Sequence, residues 1–372
     1  MENNWKKPMI PWAKPNYYGY EKKYINQALQ STWLSNGKFV KDFENKVCKF
    51  VNSKFAISVT SCTSALHLAY LALELKKGDE VIIPGYGYLA AANISLQMGL
   101  KPIFVDVDLE TFCVTSKDIE KKITPKTKLI VVFNIYGNVC DLDPIIKIAK
   151  IKKIPVLEDA AESFASLYKS KQSGALADIG TYSFQATKTI TTGEGGMVVT
   201  NKDKYFIERL KAYRNHGVKD KKYYHYFPGH NFRLTNIQAA IGCAQLKKIS
   251  NIIFERKKIY HFYSNLFKNI ESLKLKILSP KVKPVMWTFA IVLDPKAFIN
   301  RDIIIKIMKT KGIETRNGFY SPNRLPLYRG CNISNLRYSE ILSKHIICLP
   351  FFTSLKEKEM EYIAKTLLNL KR

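Results

Sequence analysis

In Ser183-Phe184-Gln185-Ala186-Thr187-Lys188 a hydroxyl at the end of an apolar run is followed five residues later by one lysine, and the glycine-rich turn Gly193-Glu194-Gly195-Gly196 comes next. A hydroxyl beside glycine-rich backbone can cradle a phosphate through N–H donors, and a desolvated lysine can act as an amine nucleophile or form a Schiff base. Upstream, Val156-Leu157-Glu158-Asp159-Ala160-Ala161-Glu162 places acids directly after a run that reads as a buried strand, where solvation would not favour them. Helix capping or an ion pair would also account for such acids, so their chemistry depends on what stands opposite them.

The elements that must position these groups alternate. Phe55–Val59 reads as a strand, Thr63–Leu75 as a helix with Leu66, Ala69, Tyr70 and Leu73 at helical spacing, and Glu80–Ile83 as a second strand closed by Pro84-Gly85. A helix over Leu89–Leu96 and strands over Pro102–Val105, Lys128–Phe133 and Pro155–Leu157 continue the series, with helical candidates near 117–122 and 144–150. Strands joined by crossover helices imply a largely parallel sheet with ligand groups beyond its carboxyl ends. Two further strands, Ile179–Phe184 and Gly196–Thr200, flank Thr187–Gly195, which carries almost no apolar bulk and reads as a site segment. A helix over Lys202–Arg214, the tyrosine-rich loop Tyr223–Phe227 and a helical tract from Thr235 to about Tyr263 follow. A strand over Thr288–Val292 and a helix over Arg301–Met308 belong to a smaller α+β unit.

Composition narrows the class. The 372 residues are 46% apolar and 12% aromatic, enough for a large core. No apolar run is long enough to span a membrane, and the polar opening Met1–Lys7 lacks a signal-peptide core, so a cytoplasmic location is expected. Seven cysteines with no CxxC pair and only six histidines suggest neither a disulfide scaffold nor a structural zinc site. The formal charge of +28 admits any polyanion as a partner, but the excess is mostly lysine spread over helix-like stretches. A nucleic-acid-binding regulator would rest on charge alone, without a zinc-finger or RNA-recognition signature.

The stretch Thr181–Thr200 around Lys188, together with Ser31-Thr32-Trp33-Leu34-Ser35-Asn36-Gly37, Thr63–Ala69, Glu158–Glu162 and Asn231-Phe232-Arg233-Leu234-Thr235-Asn236, resembles the DegT/StrS-type sugar aminotransferases in the same order. These are fold-type-I, pyridoxal-phosphate-dependent enzymes, and within the family the likeness is to the GDP-perosamine synthases. The resemblance implies an α/β fold-type-I architecture, with a large domain over 1–265 built on a mixed, mostly parallel seven-stranded sheet and a small C-terminal α+β domain over 266–372. It implies pyridoxal 5'-phosphate as cofactor, pyridoxamine 5'-phosphate as its aminated form, and transfer of the amine of L-glutamate to the keto carbon of a nucleotide-linked 4-keto-6-deoxy sugar for surface polysaccharide. A homodimer with shared active sites is implied, with neither nucleic acid nor membrane as partner.

Residue by residue, the resemblance gives Lys188 as the group that holds the cofactor covalently and then shuttles the substrate proton, and Asp159 as the partner of the ring nitrogen. Tyr88 would stack on the ring, Ser183 and the backbone of Thr63 and Ser64 would bind the phosphate, Glu162 would contact the ring hydroxyl side or the substrate, and Asn231 would reach the phosphate from the neighbouring subunit. Ser35, Arg316, Phe319 and Tyr320 fall on the substrate side. On propensity alone Tyr88 and His67 read as packed core residues and Cys62 as a small buried hydrophobe. The roles of Arg214 and His216 stay open. Three positions depart from the family pattern: Cys62 where glycine is frequent, Thr187 where asparagine or histidine precedes the lysine, and Asn323 where perosamine-type relatives tend to have histidine. A small phosphorylated ketone is therefore an alternative acceptor. A cofactor-dependent dehydration, whose hallmark is histidine in the lysine position, is opposed by Lys188.

Overall fold

A computed structural model describes residues 9–331, 333 and 335–372; the opening Met1–Lys7 lies outside them. Strands β1 (Phe55–Val59), β2 (Glu80–Pro84), β3 (Lys101–Val105), β4 (Thr127–Phe133) and β5 (Val156–Asp159) are followed by a short hairpin, β6 (Leu167–Tyr168) and β7 (Lys171–Gln172), and then by β8 (Ile179–Ser183) and β9 (Gly196–Thr200). Seven of them form one sheet in the order β1-β9-β8-β5-β4-β2-β3. Only β9 runs against its neighbours, since β1 and β8 both pair with it antiparallel while the other pairings are parallel. The carboxyl ends of β1, β8, β5, β4 and β2 consequently share one edge.

Both faces of the sheet are covered, which is why its strands read as near-continuous apolar runs. Ile82, Ile130, Val132 and Val156 pack on one side, while Val81, Ile83, Leu129, Val131 and Leu157 alternate onto the other. The helices are α1 (Tyr20–Gln30), α2 (Lys38–Val51), α3 (Cys62–Ala72), α4 (Ala90–Gln97), α5 (Ser116–Glu120), α6 (Leu142–Lys152), α7 (Lys204–Arg214), α8 (Asn236–Lys247) and α9 (Ile249–Phe267). The tract expected as one helix from Thr235 is two, because Lys248 between them leaves helical geometry at φ −109°. A capping box fixes the start of α8: the Thr235 hydroxyl accepts from the Gln238 N–H while the Gln238 side chain accepts from the Thr235 N–H.

The C-terminal part contains β10 (Leu273–Leu275), β11 (Val282–Lys283), β12 (Phe289–Leu293), α10 (Arg301–Thr310), β13 (Arg316–Asn317), α11 (Arg337–His345), β14 (Ile346–Leu349) and α12 (Glu357–Leu368). Its antiparallel sheet has the order β10-β12-β14-β13, and β11 joins the β6–β7 hairpin instead. Ile291, Leu293, Ile347 and Leu349 of the sheet pack with Ile304, Met308, Ile363 and Leu367 of the helices. Ile249 and Ile252 of α9 sit in the core of the large sheet's side, whereas its Ile259, Tyr263 and Phe267 sit in the small core. We propose a division at 265/266, with α9 as the beam that crosses it.

Candidate active site

The shared strand edge opens on a cavity of about 510 Å³ whose walls include Cys62, Thr63, Tyr88, Asp159, Glu162, Ser183, Lys188, Arg316 and Phe319. Beyond β1 the chain turns into α3, where the Ser61 hydroxyl caps the helix by accepting the Ser64 N–H at 3.1 Å and the Ser61 carbonyl accepts the Ala65 N–H at 3.1 Å. Neither bond uses the N–H of Cys62 or Thr63, the two first-turn residues that line the cavity, so this helix start can receive an anion. Gly196 lets β9 approach closely here, for a Cβ on it would lie 2.4 Å from the Ser61 carbonyl carbon. Beyond β2, Gly87 (φ +146°) takes the chain past Phe133 to Tyr88, and a Cβ would meet the Phe133 ring at 2.4 Å.

Lys188 lies in the irregular segment between β8 and β9. Its ammonium stands 3.5 Å from Glu162 Oε1 and 3.7 Å from the centre of the Trp287 ring, a geometry that offers both ion pairing and cation–π attraction. The backbone is held from outside the segment: the Trp287 Nε1–H donates to the Thr187 carbonyl at 3.0 Å and buried Arg256 donates to the Lys188 carbonyl at 3.3 Å. Glu162, 2% exposed, accepts the Tyr136 N–H at 2.8 Å. Burial pushes its carboxyl upward, and Lys188, the Tyr136 N–H and Lys276 pull in the other direction.

Asp159 closes β5 and is 4% exposed. Desolvation pushes its carboxyl up to about 7, nearby Glu162 adds to the rise, and the Ala161 N–H and Lys188 oppose it. Among the described residues its carboxyl accepts from the Ala161 N–H at 3.1 Å and the Cys62 thiol at 3.9 Å, both at Oδ1. A buried carboxyl so sparsely solvated has unspent capacity for a cationic N–H donor. With an amine opposite, a helix start and the Ser183 hydroxyl on the same wall, the residues fit a phosphorylated carbonyl compound carrying a basic ring nitrogen.

The sequence-based expectations divide by location. Lys188, Asp159, Glu162, Thr63, Tyr88, Ser183, Arg316 and Phe319 all line the cavity. Tyr88 is 66% exposed and so is not the core aromatic that propensity suggested. Ser64 lies one layer below, with its hydroxyl 2.9 Å from the Thr60 hydroxyl and 3.0 Å from that of Ser61. Ser35 pairs with Thr235, Asn231 accepts from Arg233 at 3.1 Å, and exposed Tyr320 lies under the Arg324 guanidinium; these three are not on the walls of this cavity. Asn323 is turned to Glu340. Half-buried His67 packs on His230 and Phe232. Arg214 serves structure, pairing with Glu44 at 2.8 Å and the Ser58 carbonyl at 2.9 Å. The His216 backbone N–H donates to the His230 carbonyl at 2.9 Å.

Sequence reasoning missed Trp12, Tyr136, Gln185 and Trp287 on the same walls. Trp12 meets Trp287 edge to face at 5.3 Å and carries the Arg316 guanidinium 4.4 Å above its ring. These aromatics come from segments far apart in sequence, and no local pattern announces them.

Comparison with known proteins agrees with this geometry. Residues 17–368 match the DegT/DnrJ/EryC1/StrS aminotransferase family. The GDP-perosamine synthase of Escherichia coli O157:H7 is 40% identical over 361 residues, covering 96% of this chain and 97% of that one. Among solved structures, Helicobacter pylori PseC, an aminotransferase involved in pseudoaminic acid biosynthesis, superposes with a TM-score of 0.90 at 28% identity over 97% of this chain and 99% of that one. The E. coli GDP-4-keto-6-deoxy-D-mannose-3-dehydratase with bound hydrated pyridoxal phosphate also reaches 0.90, at 26% identity over 97% and 100%. The chain belongs to the DegT/DnrJ/EryC1/StrS aminotransferase family. Its activity is pyridoxal-phosphate-dependent transamination, with the cofactor alternating between pyridoxal and pyridoxamine forms.

Proposed function

We propose that the chain moves the amino group of L-glutamate to C4 of a GDP-linked 4-keto-6-deoxyhexose, releasing 2-oxoglutarate and a 4-amino sugar destined for surface polysaccharide. The observation that carries the reading is the convergence of Lys188, Asp159 and Glu162 on one cavity that also contains the first turn of α3. Pyridoxal phosphate, when bound, supplies the electron sink that makes the substrate C–H acidic. In this reading Asp159 pairs as a carboxylate with the ring nitrogen, the start of α3 and Ser183 take the phosphate, and exposed Tyr88 offers its face to the ring. The Lys188 Nζ would hold the cofactor and, when free, would carry the proton to or from the reacting carbon, steered by Glu162 and the Trp287 ring. Arg316, with Phe319 beside it on the wall, gives the substrate side a cation for anionic groups.

The GDP-linked acceptor is supported by the 40% identity to a GDP-perosamine synthase along nearly the whole of both chains. We place the enzyme in the cytoplasm, where nucleotide sugars would be available; no helix among the described residues is long and apolar enough to cross a membrane. A homodimer is part of the proposal: Asn231 lies off this chain's own cavity, as a group that serves a neighbour would, and Trp33 and Leu34 leave apolar surface exposed nearby in sequence to Ser35. The test is a coupled assay of 2-oxoglutarate release from glutamate against GDP-, UDP- and dTDP-linked keto sugars and small phosphorylated ketones. Turnover of the GDP-linked ketone above the others supports the reading, and turnover of the small phosphates alone sinks it.

A further inference from the structure

Lys276 is a buried cation that the transamination chemistry leaves unused. It follows β10, is 9% exposed, and aims its ammonium at the carbonyls of Ile135 and Tyr136, both at 3.4 Å, with the Met286 sulfur at 3.7 Å. A lysine is rarely buried without a partner, since losing water disfavours its charge. The Ile135 carbonyl that it contacts and the Tyr136 N–H that donates to Glu162 at 2.8 Å belong to the same peptide unit. That peptide therefore stands with its negative end toward a cation and its positive end toward a carboxylate, an arrangement in which each partner polarises the other. Tyr136 holds the unusual backbone angles φ 54° and ψ 25°, and its ring stacks on Phe319 at 5.5 Å with an interplanar angle of 13°. The turn is thus fixed both by a strained residue and by a substrate-side wall.

We propose that Lys276 is a positioning residue of this active site: through the Ile135–Tyr136 peptide it holds the Glu162 carboxylate ionised and directed at the Lys188 amine. The proposal rests on the reading of Lys188 as the group that carries the cofactor. Groups around Glu162 are Lys188, Asp159, Tyr136 and Cys348, which line the cavity with it, and Lys276, which does not. Of these, Lys188 and Lys276 are the cations, and both favour the ionised carboxylate. Burial pushes Lys276 itself down to about 8, so the strut is charged at neutral pH and fades in alkali.

The test compares the wild type with K276M, which keeps most of the unbranched side chain and removes its charge, and with K276R, which keeps the charge. Infrared difference titration of the cofactor-free protein, with the Glu162 band assigned by E162Q, reads carboxyl protonation directly. In K276M that band should titrate at higher pH than in the wild type, and K276R should bring it back. In the loaded enzyme K276M should lose ~10-fold in kcat/KM at neutral pH, the equivalent of one charge-assisted hydrogen bond, and recover as the pH is raised. In an E162Q background K276M should add no further loss. A Glu162 band that titrates as in wild type, with only the thermal midpoint lowered, overturns the proposal; so does a full additional loss in E162Q. Should K276M fail to fold, K276Q is read by the same criteria. A wild type that does not retain pyridoxal phosphate would refute the reading of Lys188, while the cofactor-free titration would still decide the strut.

Discussion

Replacing Asp159 by asparagine should stabilise the cofactor-free protein while disabling the enzyme. Burial lifts the Asp159 carboxyl from 3.8 to about 7, so the folded chain binds this proton more tightly than the unfolded chain does. Stability is then lost as pH rises through that window, because above it the folded state must carry a desolvated charge. Each tenfold in proton affinity is worth about 1.4 kcal/mol, which puts the full cost at ~4 kcal/mol above pH ~7 as an upper bound. Asparagine fills the same space, accepts the Ala161 N–H through its Oδ1 and never ionises. By the same conversion the stability gained by D159N over wild type should grow by about 2–3 kcal/mol between pH ~5 and pH ~8. Calorimetric melting of both proteins without cofactor measures it. Loss of the carboxylate should also cut turnover by at least ~100-fold, since no anion then keeps the ring nitrogen protonated. A D159N protein that is less stable than wild type at high pH, or equally displaced at both pH values, would refute the desolvation reasoning. Retained turnover would refute the pairing with the ring nitrogen.

Lys188→Ala should abolish borohydride-trapped cofactor and lower turnover by ~10⁴-fold or more, checked by mass mapping and single-turnover kinetics. Arg316→Ala should raise KM for the anionic substrate ~10-fold with kcat little changed, and a fall in kcat alone would remove Arg316 from substrate binding. Mixed dimers of K188A and N231A chains should recover part of the activity that each homodimer lacks, because one of the two sites then has both residues intact; no recovery would mean that Asn231 does not serve across the interface. Trp287→Leu removes the ring under the Lys188 ammonium and the bond to the Thr187 carbonyl. It should cost about 2–3 kcal/mol of stability in urea unfolding.

Much of the site was legible because it lies at strand ends. Asp159 and Ser183 each sit where an apolar run stops, Lys188 follows in the site segment with almost no apolar bulk, and a parallel sheet brings such stops to one edge. The strands themselves could be read because both faces of the sheet are buried, leaving unbroken apolar runs such as Leu129–Phe133. The aromatic and cationic surroundings were not legible. Trp12 reaches Arg316 through the pairing of Ile10 with Ile313, and Lys276 reaches the turn at 135–137 from about 140 residues away in sequence. Such contacts depend on tertiary docking and leave no spacing in the sequence. Tyr88 was misjudged on propensity because an aromatic flanked by glycine and apolar residues looks buried, whereas the turn after β2 turns it outward. The break at Lys248 between α8 and α9 has no sequence signal, since neither glycine nor proline marks it.

Amino transfer from glutamate to a nucleotide-linked ketone at Lys188 leaves an isotopic signature. Incubation of the cofactor-loaded protein with ¹⁵N-glutamate and GDP-4-keto-6-deoxymannose, followed by mass spectrometry of the sugar nucleotide, tests it most directly. The product should carry one ¹⁵N at C4 for each 2-oxoglutarate released, and none with K188A. An unlabelled, dehydrated sugar, or no conversion of this ketone while another acceptor is aminated, would contradict it.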